Sequence, residues 1–194
     1  MIQKTGRSLL AFVFLFVFAG CDDDNDRNLP GNGEDLPDPG EFHAEISGDM
    51  ERDLAGTAFF ENMIDPETGN DFFFLSLATL ETPANNMWFS RGGGRPSSGS
   101  YQVLNLDADD LDDSWVYDEN RFAFWFVDDP ADNMVLFFSD RGSVNIHRSH
   151  EDEIAGEFVI HATGFYLADM NTALEVEVRG AFNAIVGDIQ PPDF

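Results

Sequence analysis

The stretches EIAGEFVIHATGFYLA (residues 153–168) and LEVEVRGAFNAIVG (residues 174–187) decide the fold. In the first, Ile154, Gly156, Phe158, Ile160, Ala162 and Tyr166 share one parity, and Glu157 and His161 fall between them. In the second, Leu174, Val176, Val178, Gly180, Phe182, Ala184 and Val186 alternate with Glu175, Glu177 and Arg179. Successive side chains of a β-strand point to opposite faces, so a period of two makes one face apolar and the other polar. These are strands of an antiparallel sheet with one buried and one wetted side.

Both stretches carry glycine on the apolar face. Ile154-x-Gly156-x-Phe158 and Val178-x-Gly180-x-Phe182 repeat the spacing of Leu54-x-Gly56-x-Ala58-x-Phe60, and Ile46-x-Gly48 offers a fourth case. Glycine weakens a strand, so its recurrence there marks sharp bends or close approach of another group. Deliberately curved sheets use the same device. A strongly coiled sheet, barrel or β-sandwich is predicted. The inward Gly56, Gly156 and Gly180 either admit a ligand or make room for Trp88, Trp115 or Trp125.

Outward from these stretches, short apolar runs recur between turn compositions such as DPETGN, RGGGRPSSGS and DDPADN. About ten strands are predicted, from segments near 42–48, 53–64, 71–80, 86–91, 100–106, 114–118, 121–128, 134–139, 143–148, 153–168 and 173–187. Short connections imply an antiparallel meander. FFFLSLATL, RFAFWFV and MVLFF are apolar on both faces and need cover on both, from a tether, a loop, a second sheet, a partner or an apolar ligand.

Charge excludes some functions. The chain has 37 acidic against 10 basic side chains, for a net charge of −27, and Lys4 is its only lysine. Such a chain repels phosphate backbones, which argues against nucleic acid and bare anionic lipid and favours cationic partners. Asp outnumbers Glu 24 to 13, a balance that resembles proteins of halophiles.

At the N-terminus, Lys4 and Arg7 precede an apolar run from Leu9 to Ala19. As a helix that run would reach only ~16 Å, against the ~30 Å of a bilayer core, so residues 1–20 read as a signal peptide. Its end, Phe18-Ala19-Gly20-Cys21, resembles the bacterial lipobox, although Phe18 departs from the usual aliphatic residue. The resemblance implies cleavage before Cys21, the chain's only cysteine, with lipid attached there as a membrane anchor. Asp22, Asp23, Asp24 and Asp26 follow, resembling the export signal of surface lipoproteins in Bacteroidota-type bacteria. Outer-membrane anchoring at the cell surface is the expectation. The Pro-, Gly- and charge-rich residues 21–40 read as a disordered acidic tether, 41–190 as the all-β domain, and 191–194 as a tail.

From Gly99 on, Gly99-Ser-Tyr101, FFSDRGSVNI, IAGEFVIHA and VRGAFNA follow an order that resembles uncharacterised Bacteroidota-type surface lipoproteins with lipocalin-like all-β domains. The resemblance covers roughly a hundred residues on glycine–aromatic spacing, implies fold and location, and transfers no catalytic residue.

Candidate chemistry is sparse. Asp107, Asp109, Asp110, Asp112 and Asp113 could offer oxygens to calcium, but the glycine and terminal glutamate of an EF-hand loop are missing, so a solvated loop is the simpler reading. Arg91 and Arg95 sit in a glycine-rich loop that could present N–H groups to an anion, yet no phosphate-loop lysine follows. His147 and His150 are three apart, on opposite faces of a strand unless a turn intervenes. His43 and His161 stand alone. No G-x-S-x-G elbow occurs, and a Ser–Lys pair is excluded from the mature part. No catalytic, metal or cofactor site is assigned. The expected function is a surface interaction or structural module, with a lipocalin-like binder of an apolar or carbohydrate ligand as the alternative.

Overall fold

The computed structural model describes residues 36–65, 68–80, 85–106, 118–128, 134–167 and 169–187. They form nine strands: β1 (Glu41–Gly48), β2 (Arg52–Ile64), β3 (Asp71–Thr79), β4 (Asn86–Gly92), β5 (Gly99–Val103), β6 (Arg121–Asp128), β7 (Val135–Ser149), β8 (Glu153–Tyr166) and β9 (Asp169–Val186). All nine belong to one sheet that closes on itself in the order β1-β2-β3-β4-β6-β5-β7-β8-β9, with β1 also paired to β9. The all-β, coiled-sheet expectation holds. Closure gives each strand a partner on both sides over part of its length, which limits the edge that could template aggregation.

Details differ from the sequence reading. The segments near 134–139 and 143–148 are one strand, β7. Asp140-Arg141-Gly142 reads as a break, but the register merely shifts between Ser139 and Arg141 as β7 runs along β8. Gly142, at φ 155°, allows the shift: a Cβ there would collide with the Val159 carbonyl of β8. The segment near 100–106 is strand only through Val103, and most of the segment near 114–118 lies outside the described residues. The meander is interrupted once. β5 sits between β6 and β7, parallel to β6 and antiparallel to β7, while the far ends of β6 and β7 pair directly. Beyond the start of β1, β2 meets β9 in a short parallel pairing, Phe59 with Ile185 and Phe60 with Val186.

The alternating positions do what their parity requires. Phe42, Leu54, Phe60, Phe73, Leu75, Phe89, Phe122, Phe124, Phe126, Phe137, Phe158 and Phe182 point inward with other apolar residues to form one continuous core. Ten of the chain's 20 phenylalanines lie in it. Full burial of each such ring contributes up to about 3 kcal/mol. Phe89 meets Phe124 at 4.8 Å and Phe158 at 5.0 Å between centroids, and Phe126 stacks on Phe137 at 4.2 Å.

The glycine motifs make room within this core. Phe158 pairs across strands with Gly180, and Gly156 with Phe182. A Cβ on Gly180 would lie 2.7 Å from the tip of Phe158, and one on Gly156 would lie 3.2 Å from the tip of Phe182. The space is filled by phenylalanine, not by tryptophan. Trp88 and Trp125 lie on the outer side, in a second apolar cluster with Phe74, Phe138, Leu104 and Leu106. Trp115 lies outside the described residues.

That second cluster explains the strands that are apolar on both faces. After β5 the chain leaves the sheet, and Leu104 and Leu106 lie over β6 and β7. Leu104 N–H donates to the Phe122 carbonyl, Leu106 N–H donates to the Ser139 carbonyl, and the Ser139 hydroxyl donates to the Leu104 carbonyl. Trp88 stacks on Trp125 at 6.0 Å beneath this cover.

Candidate functional site

The interior positions are taken by side chains, and its two ends carry inward-facing arginines. Arg52 shares the parity of Leu54 and Phe60. It reaches past β3 and β4 to Asp128, which shares the parity of Phe124 and Phe126, with 3.5 Å between Nη2 and Oδ2. Asp128 is only 4% exposed. At the opposite end Arg91 shares the parity of Phe89. Its guanidinium lies 5.0 Å from the Tyr101 ring and 5.8 Å from the Phe122 ring, and it donates to the Glu119 carbonyl. Burial lowers the Arg91 pKa, and the nearby Tyr101, Glu119 and Asp118 only partly offset that. Asp118 also loses solvent. Donations from the N–H groups of Asn120 and Arg121 and from the Arg121 guanidinium outweigh that loss and hold its carboxyl below the ordinary value.

A concave surface lies on the outer wall. It is a groove of about 590 Å³ formed by β7, β8, β9, β1 and β2. A closed, twisted sheet is a hyperboloid, so its outer wall is hollowed along the strands at the waist. Small residues deepen that hollow: Ala55, Ser47 and Ser143 face it, and the buried Gly180 lies at its floor. Long polar side chains rim it, namely His43, Glu45, Asp53, Asn145, Glu157, Glu177 and Arg179.

Register sets their neighbours. One row across the wall reads Ser143–Val159–Arg179–Glu45–Asp53. A second reads Asn145–Glu157–Ala181–His43–Ala55. Arg179 Nε donates to Glu177 Oε1 at 2.5 Å, and His161 Nε2 stands 3.4 Å from Glu177 Oε2. The bond from Arg179 is the main reason the Glu177 carboxyl titrates below its ordinary range. Partial burial opposes it, and the charges of Arg179 and His161 add to it. The same bond raises the Arg179 pKa. Glu157 receives Asn145 Nδ2 at 3.3 Å and faces His147 Nε2 at 3.6 Å. Glu45 and Asp53 are directly opposed across β1 and β2, so two like charges share one cross-strand position.

The residues singled out in the sequence divide accordingly. His43 lines the groove, and His161 and His147 each approach a carboxylate on its rim. His150 sits beyond the end of β7, where its N–H donates to the Glu153 carbonyl in the turn. His147 and His150 therefore form no pair. Among the described residues no group of three His, Cys, Asp or Glu side chains is placed to hold a metal ion. Arg95 is exposed, whereas Arg91 is buried in the core's end. Cys21 and the aspartates 107–113 lie outside the described residues. Sequence reasoning missed Arg52, Asp128, Glu45 and Asp53. Alternation gives each one's face, but only the register brings them to their neighbours.

No family model, curated protein or solved structure matches the chain. Among the described residues no helix is long and apolar enough to cross a membrane.

Proposed function

We propose that this chain is a lipid-anchored envelope protein whose domain acts as an interaction module, engaging its partner on the outer wall. The observation that carries this reading is the phenylalanine-filled interior beside a polar groove on the outside. A lipocalin-like ligand would need a hollow ring, and here aromatic side chains occupy the inner positions while Arg52–Asp128 and Arg91 lie across the two ends. The lipobox-like Phe18–Cys21 and the acidic run behind it support anchoring through Cys21 in the outer membrane with the domain displayed outward. The chain enters the sheet at the end where β1 begins. There Gly40 N–H donates to the Asn183 carbonyl and Asn183 Nδ2 to the Pro37 carbonyl, so the tether's last residues are fixed to the domain and the groove lies along its flank.

The native protein tests this directly. Its mass should exceed that of the polypeptide from Cys21 onward by a lipid adduct, and protease added to intact cells should remove the domain. A photo-crosslinker at Ala55, in the groove, should trap an envelope component in intact cells, whereas one at the exposed Asp71 should not. A bare full-length mass with complete protease protection would overturn the reading.

A further inference from the structure

We infer that β5 and the loop before it, Gly93–Gln102, form a flap that opens and recloses ahead of the rest of the sheet, and that the buried Arg91 behind it keeps the closure weak. The inference goes beyond the interaction role and does not depend on it.

The first observation is how little holds β5. It pairs with β6 only at Gln102–Arg121 and Val103–Phe122, and with β7 only from Gly99–Ile146 to Gln102–Ser143. Of its five residues, Tyr101 and Val103 meet the core, and Gly99, Ser100 and Gln102 are exposed. Beyond β5, β6 and β7 pair directly from Trp125–Phe138 to Asp128–Val135. That end of the sheet therefore stays closed when β5 leaves.

The second is how the segment is hung. At its start Gly93 and Gly94 take φ values of 75° and 69°, a region glycine enters at no steric cost. At its end Leu104 is pinned, its N–H donating to the Phe122 carbonyl and its carbonyl accepting from the Ser139 hydroxyl. Between these points the Ser149 hydroxyl donates to the Pro96 carbonyl, while the Tyr101 hydroxyl is spent inside the flap on the Ser97 carbonyl.

The third is Arg91. It is only 7% exposed, and its guanidinium lies against Tyr101 of the flap and Phe122 of β6. It donates to the Glu119 carbonyl, but its enclosed Nε has no hydrogen-bond partner among the described residues. The closed flap thus holds a cation away from water with one donor unpaired, and the open flap hydrates both. The two aromatic faces return part of that cost. A segment with few buried contacts and exposed hydrogen bonds is the kind that opens locally.

Hydrogen exchange of the full-length protein, read by mass spectrometry at rising sub-denaturing urea, tests this. Peptides covering Gly99–Val103 are expected to exchange at least about tenfold faster than those from the centres of β8 and β9. Their urea dependence should be weaker, because a local opening exposes less surface than unfolding. Two variants separate flap from fold. Phe182→Leu loosens the core on β9, which stays packed when β5 opens, so it should speed exchange in β8 and β9 and leave β5 unchanged. Arg91→Met removes the buried charge while its thioether still meets the aromatic rings. It should slow β5 exchange at least about fivefold, the scale set by one unpaired buried donor.

Equal rates and equal urea slopes in β5 and in β8 and β9 would overturn the inference. So would β5 exchange that Phe182→Leu accelerates as much as it does the core strands, or that Arg91→Met leaves as fast as in the parent. None of these outcomes touches the mass, protease and crosslinking results, so anchoring, display and partner contact stand or fall separately.

Discussion

At the scale of single residues, the inward glycines do the most for the fold. Gly156 and Gly180 leave room for the tips of Phe182 and Phe158 on the neighbouring strand, whereas Gly56 lies against the β3 backbone at Ala78 and Thr79. Gly180 is hemmed in on three sides. A Cβ there would stand 2.6 Å from the His43 carbonyl oxygen, 2.7 Å from Phe158 and 3.0 Å from Ala44. The first of these is backbone, which cannot swing away. Gly180→Val should therefore destabilise the protein by about 2–3 kcal/mol, as overpacking of a close-packed core does, read as a lower urea midpoint at unchanged slope. A variant as stable as the parent would show that the approach is not tight. The spacing of Gly56, Gly156 and Gly180 was legible in the sequence, since glycine on an apolar face demands a reason. Its beneficiary was not legible. Phe158 and Trp125 are equally apolar and aromatic in one dimension, and only strand register puts Phe158 opposite Gly180 and turns Trp125 outward. Arg91 was visible as an arginine before a glycine run, but nothing local signals its burial on Phe122 and Tyr101.

At the scale of elements, β8 and β9 were read from their own alternation because they are long, paired with each other over nearly their whole length, and polar on one side. In sequence β7 reads as two strands, because Asp140-Arg141-Gly142 has the composition of a turn. The pairing with β8 on either side carries the chain straight through it, and tertiary hydrogen bonds override the local preference. The place of β5 was not legible at all. A five-residue strand lodged between two others in space, though not in sequence, depends on how far β6 and β7 splay. The outer ladder of β8 and β9 has its own acid dependence. Arg179 lowers the Glu177 pKa in the folded state. A carboxyl lowered in this way contributes stability that is present above its unfolded value of ~4.3 and is lost as pH falls through the lower folded value. Melting temperature should therefore fall more steeply with pH below about 4.3 in the parent than in Glu177→Gln, while the two curves run parallel between about pH 5 and 7. Parallel curves in acid as well would mean that the Arg179–Glu177 bond contributes nothing to folding.

At the scale of the whole molecule, two properties follow from closure and from charge. Closure around ten phenylalanines leaves the inner wall no surface to offer, so an apolar fluorescent probe should not be taken up by the native protein and should brighten only as the protein unfolds. Saturable uptake at native pH would restore the ligand-binding alternative. Charge acts on the outside. The few cations are largely engaged: Arg148 with Glu153 at 2.6 Å, Arg121 with Asp118 at 2.7 Å and Arg179 with Glu177 at 2.5 Å. Salt weakens these exposed pairs, each worth at most about 1 kcal/mol, and also weakens the repulsion among the remaining carboxylates. Number decides between the two effects. With 37 acids against 10 bases, repulsive pairs far outnumber attractive ones, so screening is a net gain. Most of that gain should come as the Debye length shrinks from ~10 Å near 0.1 M to ~3 Å near 1 M salt. The melting temperature should therefore climb by several degrees over this range, and potassium chloride should act as sodium chloride does, because screening depends on ionic strength and not on the identity of the ion. A rise specific to one cation at millimolar concentration would point to a bound ion, and a fall would mean that the ion pairs, few as they are, outweigh the repulsion.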